Sequence, residues 1–156
     1  MTTPAASFAN HLQRRNTDAI GFIPASKIEI WDRRGLILLA EDNDDPCGFL
    51  MHGPVGGEAV RIYQAAVCAD VQRMLHCSGL LDRLKRRAIA AGTRSILARC
   101  RSRLPSNAFW VASGFDLVET VPGGKRRGDT INAYRLDLPV GLFPSQTALL
   151  GEVNQS

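Results

Sequence analysis

The chain has 156 residues, of which 45% are hydrophobic and 22% charged, a composition typical of one soluble globular domain. Its longest apolar run, residues 36–40, is too short to cross a bilayer, and residues 1–15 lack the order of a signal peptide. The net charge of +4 comes mainly from arginine, which favours either a solvated basic surface or an anionic partner. We therefore expect a cytoplasmic protein that does not bind a membrane.

The cysteines at positions 47, 68, 77 and 100 are widely spaced and form no C-x-x-C pair. This spacing matches neither a standard zinc site nor a disulfide-stapled scaffold, so we expect no bound metal. A cysteine in a strand, such as Cys68, is more often a small core residue than a nucleophile.

Hydrophobic spacing and turn residues predict the elements of the first half of the chain. In chain order these are a helix at 5–16, a short helix after Pro24 that ends at Gly35, and strands at 36–42, 47–53 and 59–68. Ile28 and Trp31 share one side of the short helix, which predicts that this side is buried. A turn at 43–46 joins the first two strands.

The second half alternates helices and strands. In chain order we expect a helix that begins near Cys77, a strand at 94–100, a helix at 104–114, and strands at 115–121 and 130–138. Gly92 is suited to end the first of these helices. The last two strands are most simply paired as a hairpin. Residues 139–156 are predicted to be an irregular tail, available for contact in a homodimer.

An antiparallel meander followed by two β-α crossovers predicts an α+β fold. The sheet is expected to be mixed and mostly antiparallel, with helices on both of its faces. The sequence shows no internal repeat, so we expect a single domain over residues 1–138.

Two segments carry a resemblance to a known superfamily. Residues 72–77, QRMLHC, correspond to the pattern Q/R-x-x-G-x-G/A with its glycines replaced by Leu75 and Cys77, and SGLL follows at 78–81. Residues 106–115, SNAFWVASGF, are similar to the pattern A-N-x-F-Y-x-x-x-G-F. With the order of elements from Phe8 to Leu138, these segments resemble the GNAT superfamily of N-acetyltransferases, in particular a bacterial and phage branch of often unassigned substrate.

The resemblance implies that acetyl-CoA, or another acyl-CoA, binds beside the strand at 59–68 and the helix that follows it. Backbone N–H groups at 73–78 would hold the pyrophosphate, and a backbone N–H near Val67 or Cys68 would polarise the thioester carbonyl. The alternatives are a plain strand-to-helix turn and, for Asn107, a helix cap. The residues implied in cofactor binding are Val67, Cys68, Gln72, Arg73, Met74, Leu75, His76, Cys77, Ser78 and Asn107.

The same resemblance indicates candidate catalytic residues for direct attack of an amine on the thioester in a ternary complex. Trp110 occupies the position of a tyrosine that often protonates the leaving thiolate, but an indole is not a practical proton source. It therefore either packs against the cofactor or fills the core. The long strand offers no carboxylate as a base; Gln64 lies where an acid would help, and Tyr63 is its neighbour. We name Tyr63, Gln64 and Trp110 as candidates, each with a structural role as the alternative.

Basic residues on the loop between the last two strands would border the acceptor cleft in this fold. Lys125, Arg126 and Arg127 would bind an acidic acceptor or a nucleic-acid backbone, or form a solvated loop, and Tyr134 would line the same side. The expected function is an N-acetyltransferase that acts on a small-molecule or protein amine. Two alternatives remain, a nucleic-acid-directed member like phage proteins that modify adenine in DNA, and a non-catalytic binding protein of the same fold.

Overall fold

The structure, a computed structural model, describes residues 3–68, 73–123 and 127–139. Its helices are α1 (Pro4–Arg15), α2 (Thr17–Ile20), α3 (Ala25–Arg33), α4 (Arg73–Ala90) and α5 (Asn107–Ala112). Its strands are β1 (Ile37–Asp42), β2 (Asp45–His52), β3 (Ala59–Val67), β4 (Ser95–Arg101), β5 (Asp116–Pro122) and β6 (Thr130–Asp137).

The first and third helices follow the sequence signals. Helix α1 begins at Pro4, and the hydroxyl of Thr3 accepts a hydrogen bond from the Ala6 N–H at 3.1 Å, as an N-cap residue does. Helix α3 begins after Pro24 and buries Ile28 completely, and Gly35 follows it with a positive φ of 74°. The short helix α2 lies between them and was not predicted, because four residues are too few for a helical pattern.

The six strands form one sheet in the order β1-β2-β3-β4-β6-β5. Strands β3 and β4 pair in parallel and every other neighbouring pair is antiparallel, including the predicted β5–β6 hairpin. Asn43 and Asp44 both have positive φ and make a two-residue turn, so β2 begins at Asp45, earlier than predicted. The predicted mixed, mostly antiparallel sheet is confirmed.

Two hydrophobic clusters cover the two faces of the sheet, as predicted. On one face, α4 and α5 pack with residues such as Leu84, Ile96 and Trp110. On the other face, α1 and α3 pack over the β1–β3 half, around Phe49 and Met51. The two helical layers therefore place α2 and α5 on opposite sides of the central strands.

Two helix boundaries differ from the prediction. Helix α4 begins at Arg73, four residues before Cys77, so the expected loop at 73–78 forms the first turns of the helix. Helix α5 is limited to Asn107–Ala112, and Leu104–Ser106 form turns before it. Ser106 is the residue before α5 and makes no side-chain capping bond.

Candidate active site

A gap opens in the middle of the sheet where β3 and β4 diverge. The two parallel strands pair only over Ala59–Arg61 and Ser95–Leu97, at their N-terminal ends. Beyond this point β3 remains paired with β2, and β4 remains paired with β6. The gap therefore widens toward the carboxyl ends of two parallel strands, where ligands of open α/β sheets commonly bind.

A β-bulge in β3 turns two consecutive side chains to the same face. Met51 pairs with Gln64 and His52 pairs with Ile62, which leaves Tyr63 as the extra residue. Tyr63 stacks on Trp31 of α3 at a centroid distance of 4.6 Å. The Gln64 side chain donates a hydrogen bond to the Gln13 Oε1 of α1 at 3.2 Å, so both residues face the α1–α3 layer. Strand alternation alone would have separated them.

One cavity lies in this gap and has a volume of about 260 Å³. We call it the polar cavity, because Gln64, Arg99 and Arg101 line it. Its walls come from the end of α2, from β3, β4 and β6, and from α5, which contributes Trp110. The lining residues are Ile20, Gly21, Ile62, Tyr63, Gln64, Ala65, Ala98, Arg99, Cys100, Arg101, Ser106, Trp110 and Ile131.

A second cavity, the apolar cavity, lies between α4 and α5 and has a volume of about 420 Å³. Its lining is almost entirely hydrophobic and includes Cys77 and Leu81 of α4 and Phe109 of α5. Three residues, Ala65, Ser106 and Trp110, line both cavities. The two cavities therefore adjoin at the gap between β3 and β4.

The sequence matches no protein-family model and no curated protein. Among solved structures, the chain is similar to a GNAT-family protein from Desulfovibrio desulfuricans, with 22% identity, a TM-score of 0.68, and coverage of 89% of this chain and 96% of that chain. It is also similar to an alanine N-acetyltransferase of a ribosomal protein from Escherichia coli, with 16% identity, a TM-score of 0.71, and coverage of 90% and 92%. A third is yncA from Salmonella typhimurium with its cofactor acetyl-CoA, with 19% identity, a TM-score of 0.69, and coverage of 89% of each chain.

This chain has the GNAT fold. At these identities the similarity establishes the fold, and the activity has to follow from the site. The sequence resemblance to the superfamily is thereby confirmed at the level of the fold.

The backbone N–H groups of β3 that face the gap between β3 and β4 can be identified from the strand pairing. The Cys68 N–H donates to the Cys47 carbonyl at 2.7 Å, so it is used within the sheet and is not free to polarise a thioester carbonyl. Because successive N–H groups of a strand point to opposite sides, those of Ala65 and Val67 point away from β2 into the gap. Val67 stays a prediction. Ala65, which lines both cavities, was missed because alanine carries no side-chain signal.

Gln64 is held in one orientation and keeps one atom unpaired. Its Nε2 donates to Gln13 Oε1 and to the carbonyls of Ile20 and Gly21, at 3.1–3.3 Å. If the amide nitrogen and oxygen were interchanged, the oxygen would face three acceptors. The nitrogen therefore occupies this position, and Oε1 points away from the three acceptors. The residue is 4% exposed, and Oε1 is the buried side-chain atom without a hydrogen-bond partner among the described residues. Gln64 therefore both ties β3 to α1 and α2 and lines the polar cavity.

The other two catalytic candidates lie at the cavity with different environments. Tyr63 is partly exposed, and its hydroxyl approaches Gly53 so closely that a Cβ there would lie 2.8 Å away. Trp110 is 9% exposed and makes edge-to-face contacts with Phe109 and Phe115 at 5.1 and 5.2 Å. Trp110 fills the core, as one of the two alternatives for it expected, and it also lines both cavities. Its packing against the cofactor stays a prediction.

Asn107 and Tyr134 form an internal network. The Asn107 Nδ2 donates to the carbonyls of Arg101 and Leu104 at 2.8 and 2.7 Å, and its Oδ1 accepts from the Tyr134 hydroxyl at 2.6 Å and from Asn132 at 2.9 Å. All bonding positions of the amide are thereby used. Tyr134 is 3% exposed and belongs to the core. Both side chains are bonded within the protein, and the cofactor contact of Asn107 and the acceptor contact of Tyr134 stay predictions.

The start of α4 contains the predicted pyrophosphate residues. Leu75 is 65% exposed and Ser78 is exposed, whereas Cys77 turns inward to the apolar cavity. The Leu75 side chain therefore points to solvent, and Cys77 meets the interior. His76 is half-buried. Arg73 and Met74 form the first residues of the helix, and Gln72 lies outside the described residues.

Arg127 is exposed beside the β5–β6 hairpin, and Lys125 and Arg126 lie outside the described residues. Burial raises the pKa of the Cys100 thiol, with a smaller opposing effect of its contact with Ser106, so Cys100 stays protonated and is a poor nucleophile. Among the described residues, no cluster of His, Cys, Asp and Glu could hold a metal, and no helix is long and apolar enough to span a membrane.

Proposed function

We propose that this protein is an N-acyltransferase that uses acetyl-CoA, or another acyl-CoA, to acylate an amine. One observation carries the proposal: the divergence of β3 and β4 leaves unpaired backbone groups of β3 facing a gap between an apolar and a polar cavity. The arrangement offers a channel for an acyl-pantetheine arm on one side and a site for an acceptor on the other.

The apolar cavity fits the pantetheine arm of the cofactor. The arm is an extended chain with two amide groups, so it can hydrogen-bond to the free edge of β3 as an added strand does. Cys77, Leu81 and Phe109 would contact its methylene groups. The yncA structure, which has the same fold, holds acetyl-CoA as its cofactor.

The first turn of α4 is suited to the pyrophosphate. Four backbone N–H groups at a helix start have no partner within the helix, and the helix dipole favours an anion there. Helix α4 begins just after the end of β3, beside the gap. The exposed Leu75 leaves this backbone accessible in spite of the missing glycines.

The reaction is an attack of a neutral amine nitrogen on the thioester carbonyl carbon, which forms a C–N bond, breaks the C–S bond and releases the CoA thiolate and a proton. In this chain the Ala65 N–H, with Val67 as the next candidate along the strand, would donate to the developing oxyanion. Gln64 would orient the amine through Oε1. Trp110, between the two cavities, would exclude water from the reacting atoms.

Acetyl-CoA binding tests the proposal directly. We expect micromolar acetyl-CoA to raise the melting temperature of the protein, because a ligand that binds only the folded state stabilises it. We also expect Cys77→Trp to weaken binding by about tenfold or more, since the indole would fill the apolar cavity. Isothermal titration calorimetry of both proteins provides the measurement.

Val111→Trp is the matched control, because Val111 lies on α5 but is 60% exposed and lines neither cavity. It should bind acetyl-CoA like the wild type. Equal binding by Cys77→Trp would place the cofactor elsewhere. DNA retention that depends on salt, with no stabilisation by acetyl-CoA, would favour the nucleic-acid-directed alternative.

A further inference from the structure

The polar cavity has cationic side chains and no acidic ones. Its charged lining residues are Arg99 and Arg101, and none of the thirteen described lining residues is Asp or Glu. Both arginines lie on β4, two positions apart, so they project from the same face of the sheet. Ala98 and Cys100, which alternate with them, belong to the core on the opposite face. The site that would receive the acceptor is therefore positively charged.

Arg99 has no ionic partner in the part of the chain that the structure describes. It is exposed, and it pairs across β4–β6 with Ala133, which in turn pairs with Glu119 of β5. Glu119 thus lies two strands away, roughly 10 Å between backbones, and forms no ion pair with Arg99. Arg61 of β3, which pairs with Leu97, extends the same basic face beside the gap.

An uncompensated guanidinium group such as that of Arg99 selects for anions. An arginine fork matches a carboxylate or phosphate in charge and in shape, whereas a polycationic amine would be repelled. The positive charge also favours the neutral form of a nearby amine, because a like charge lowers the pKa of an ammonium group. This explains how an amine can be deprotonated in a cavity that lacks a carboxylate base.

Gln64, which carries a buried oxygen without a hydrogen-bond partner among the described residues, lines another wall of the same cavity. Gln64 Oε1 is a buried acceptor, and a buried acceptor without a donor costs about 1–3 kcal/mol. An N–H of the acceptor amine would satisfy it. The cavity volume of about 260 Å³ lies just below the range that takes drug-sized ligands, which favours a small acceptor.

Taking the proposed acyl transfer as given, we infer that the acceptor is a small molecule that carries both an amine and an anionic group, a carboxylate or a phosphate. Arg99, with Arg101, binds the anion, and Gln64 accepts a hydrogen bond from the amine. Specificity is therefore set by the basic face of β4.

The test compares amines that differ in the anion. With saturating acetyl-CoA, kcat/KM is measured for β-alanine, O-phosphoethanolamine, propylamine and 1,3-diaminopropane. We expect at least one anionic amine to exceed propylamine by about tenfold or more, and the diamine to be the poorest. β-Alanine and O-phosphoethanolamine distinguish a carboxylate from a phosphate.

Variants assign the effect to Arg99. Arg99→Glu should remove the preference for the anionic amine by about tenfold or more while the KM for acetyl-CoA stays unchanged. Lys27→Glu, which makes the same charge change at an exposed position of α3, should keep the preference. A preference that survives Arg99→Glu, or turnover of the diamine equal to that of the anionic amines, would overturn the inference.

Binding without turnover separates this inference from the proposed function. Saturation-transfer NMR of β-alanine and O-phosphoethanolamine with the cofactor-free protein should show binding that Arg99→Glu abolishes. If acetyl-CoA does not bind and the anionic amine does, the acyl transfer fails and the anion site stands. If acetyl-CoA is hydrolysed or transferred and neither anionic amine binds or reacts, the anion site fails and the acyl transfer stands.

Discussion

Asn107 shows how a single side chain can hold a loop in place beside the gap. Its amide links the turn after β4 to Tyr134 of β6, through the carbonyl of Arg101 on one side and the Tyr134 hydroxyl on the other. We expect Asn107→Ala to lower the free energy of unfolding by about 1–3 kcal/mol, because several buried groups lose their partner. Urea unfolding gives the value.

A double-mutant cycle with Tyr134→Phe isolates the bond between the two side chains. The single Tyr134→Phe change removes only the hydroxyl, so it should cost less than Asn107→Ala. Strict additivity of the two changes would show that the 2.6 Å contact contributes nothing. A loss of acetyl-CoA affinity without any loss of stability would instead restore the cofactor role predicted for Asn107.

The sequence could not distinguish these roles of Asn107. Its position in SNAFWVASGF predicts that an asparagine lies near the start of a helix, and it does. Whether the amide turns to a ligand or to the protein depends on Tyr134, which is far away in sequence and meets Asn107 only when β6 pairs with β4. The same holds for Cys68, whose N–H donates to a carbonyl of β2, because the register of β2 with β3 cannot be predicted from the sequence alone.

At the level of elements, the pairing of β2 with β3 depends on Gly48. A Cβ at Gly48 would lie 2.7 Å from Val67 Cγ2 and 3.0 Å from the Ala66 carbonyl oxygen. We expect Gly48→Ala to destabilise the protein by about 1–3 kcal/mol, because a backbone oxygen cannot move without shifting the strand. Thermal or urea unfolding measures the loss.

Gly123→Ala is the matched change at a position with an equally short contact. There the Cβ would lie 2.8 Å from Ile131 Cδ1, the far end of a flexible side chain that can rotate away. It should therefore cost clearly less than Gly48→Ala. Equal losses at the two glycines would mean that β2 and β3 adjust as easily as a side chain does.

The order and type of the long elements were predictable, and the irregular features were not. Periodic apolar residues and the glycines at 35 and 92 indicate where helices end, and the β5–β6 hairpin follows from its neighbouring strands. The bulge at Tyr63 leaves no mark in the sequence, because it depends on the register with β2. It decides that Tyr63 and Gln64 share a face, and so it shapes the candidate site.

For the molecule as a whole, His52 couples stability to pH. It is 1% exposed; Nδ1 lies 2.7 Å from the Gly53 carbonyl and Nε2 lies 3.3 Å from Arg87 Nη1. Burial lowers the pKa of His52, and the charge of Arg87 lowers it further, against an opposing effect of the Gly53 carbonyl. The folded protein therefore binds this proton less readily than the unfolded chain does.

The sign of the pH dependence follows from that lowered pKa. The free energy of unfolding is highest above the pKa of histidine in the unfolded chain, about 6.5. It decreases as the pH falls from there toward the lower pKa of His52 in the folded protein. Urea unfolding at several pH values between 7.5 and 5 should show this loss in the wild type and a smaller one in His52→Gln. His11 and His76 remain in both proteins, so an identical pH dependence would exclude His52 as the source.

The sequence predicts the fold of the molecule but not all of the residues that form the candidate site. The GNAT resemblance rests on two segments, and it correctly predicts the fold around them. Arg99 and Arg101 give no signal in a chain rich in arginine, because only the divergence of β3 and β4 brings them to a cavity. The fold therefore determines which of the arginines line the cavity, and the composition does not.

The divergence of β3 and β4 also has a mechanical consequence. Three residues on each strand, Ala59–Arg61 and Ser95–Leu97, join the two halves of the sheet by backbone pairing. A molecule bound along the free edge of β3 would add reversible hydrogen bonds between the two halves of the sheet. The amides of Ala65 and Val67 should then exchange with deuterium quickly in the ligand-free protein and slowly when a molecule is bound along β3.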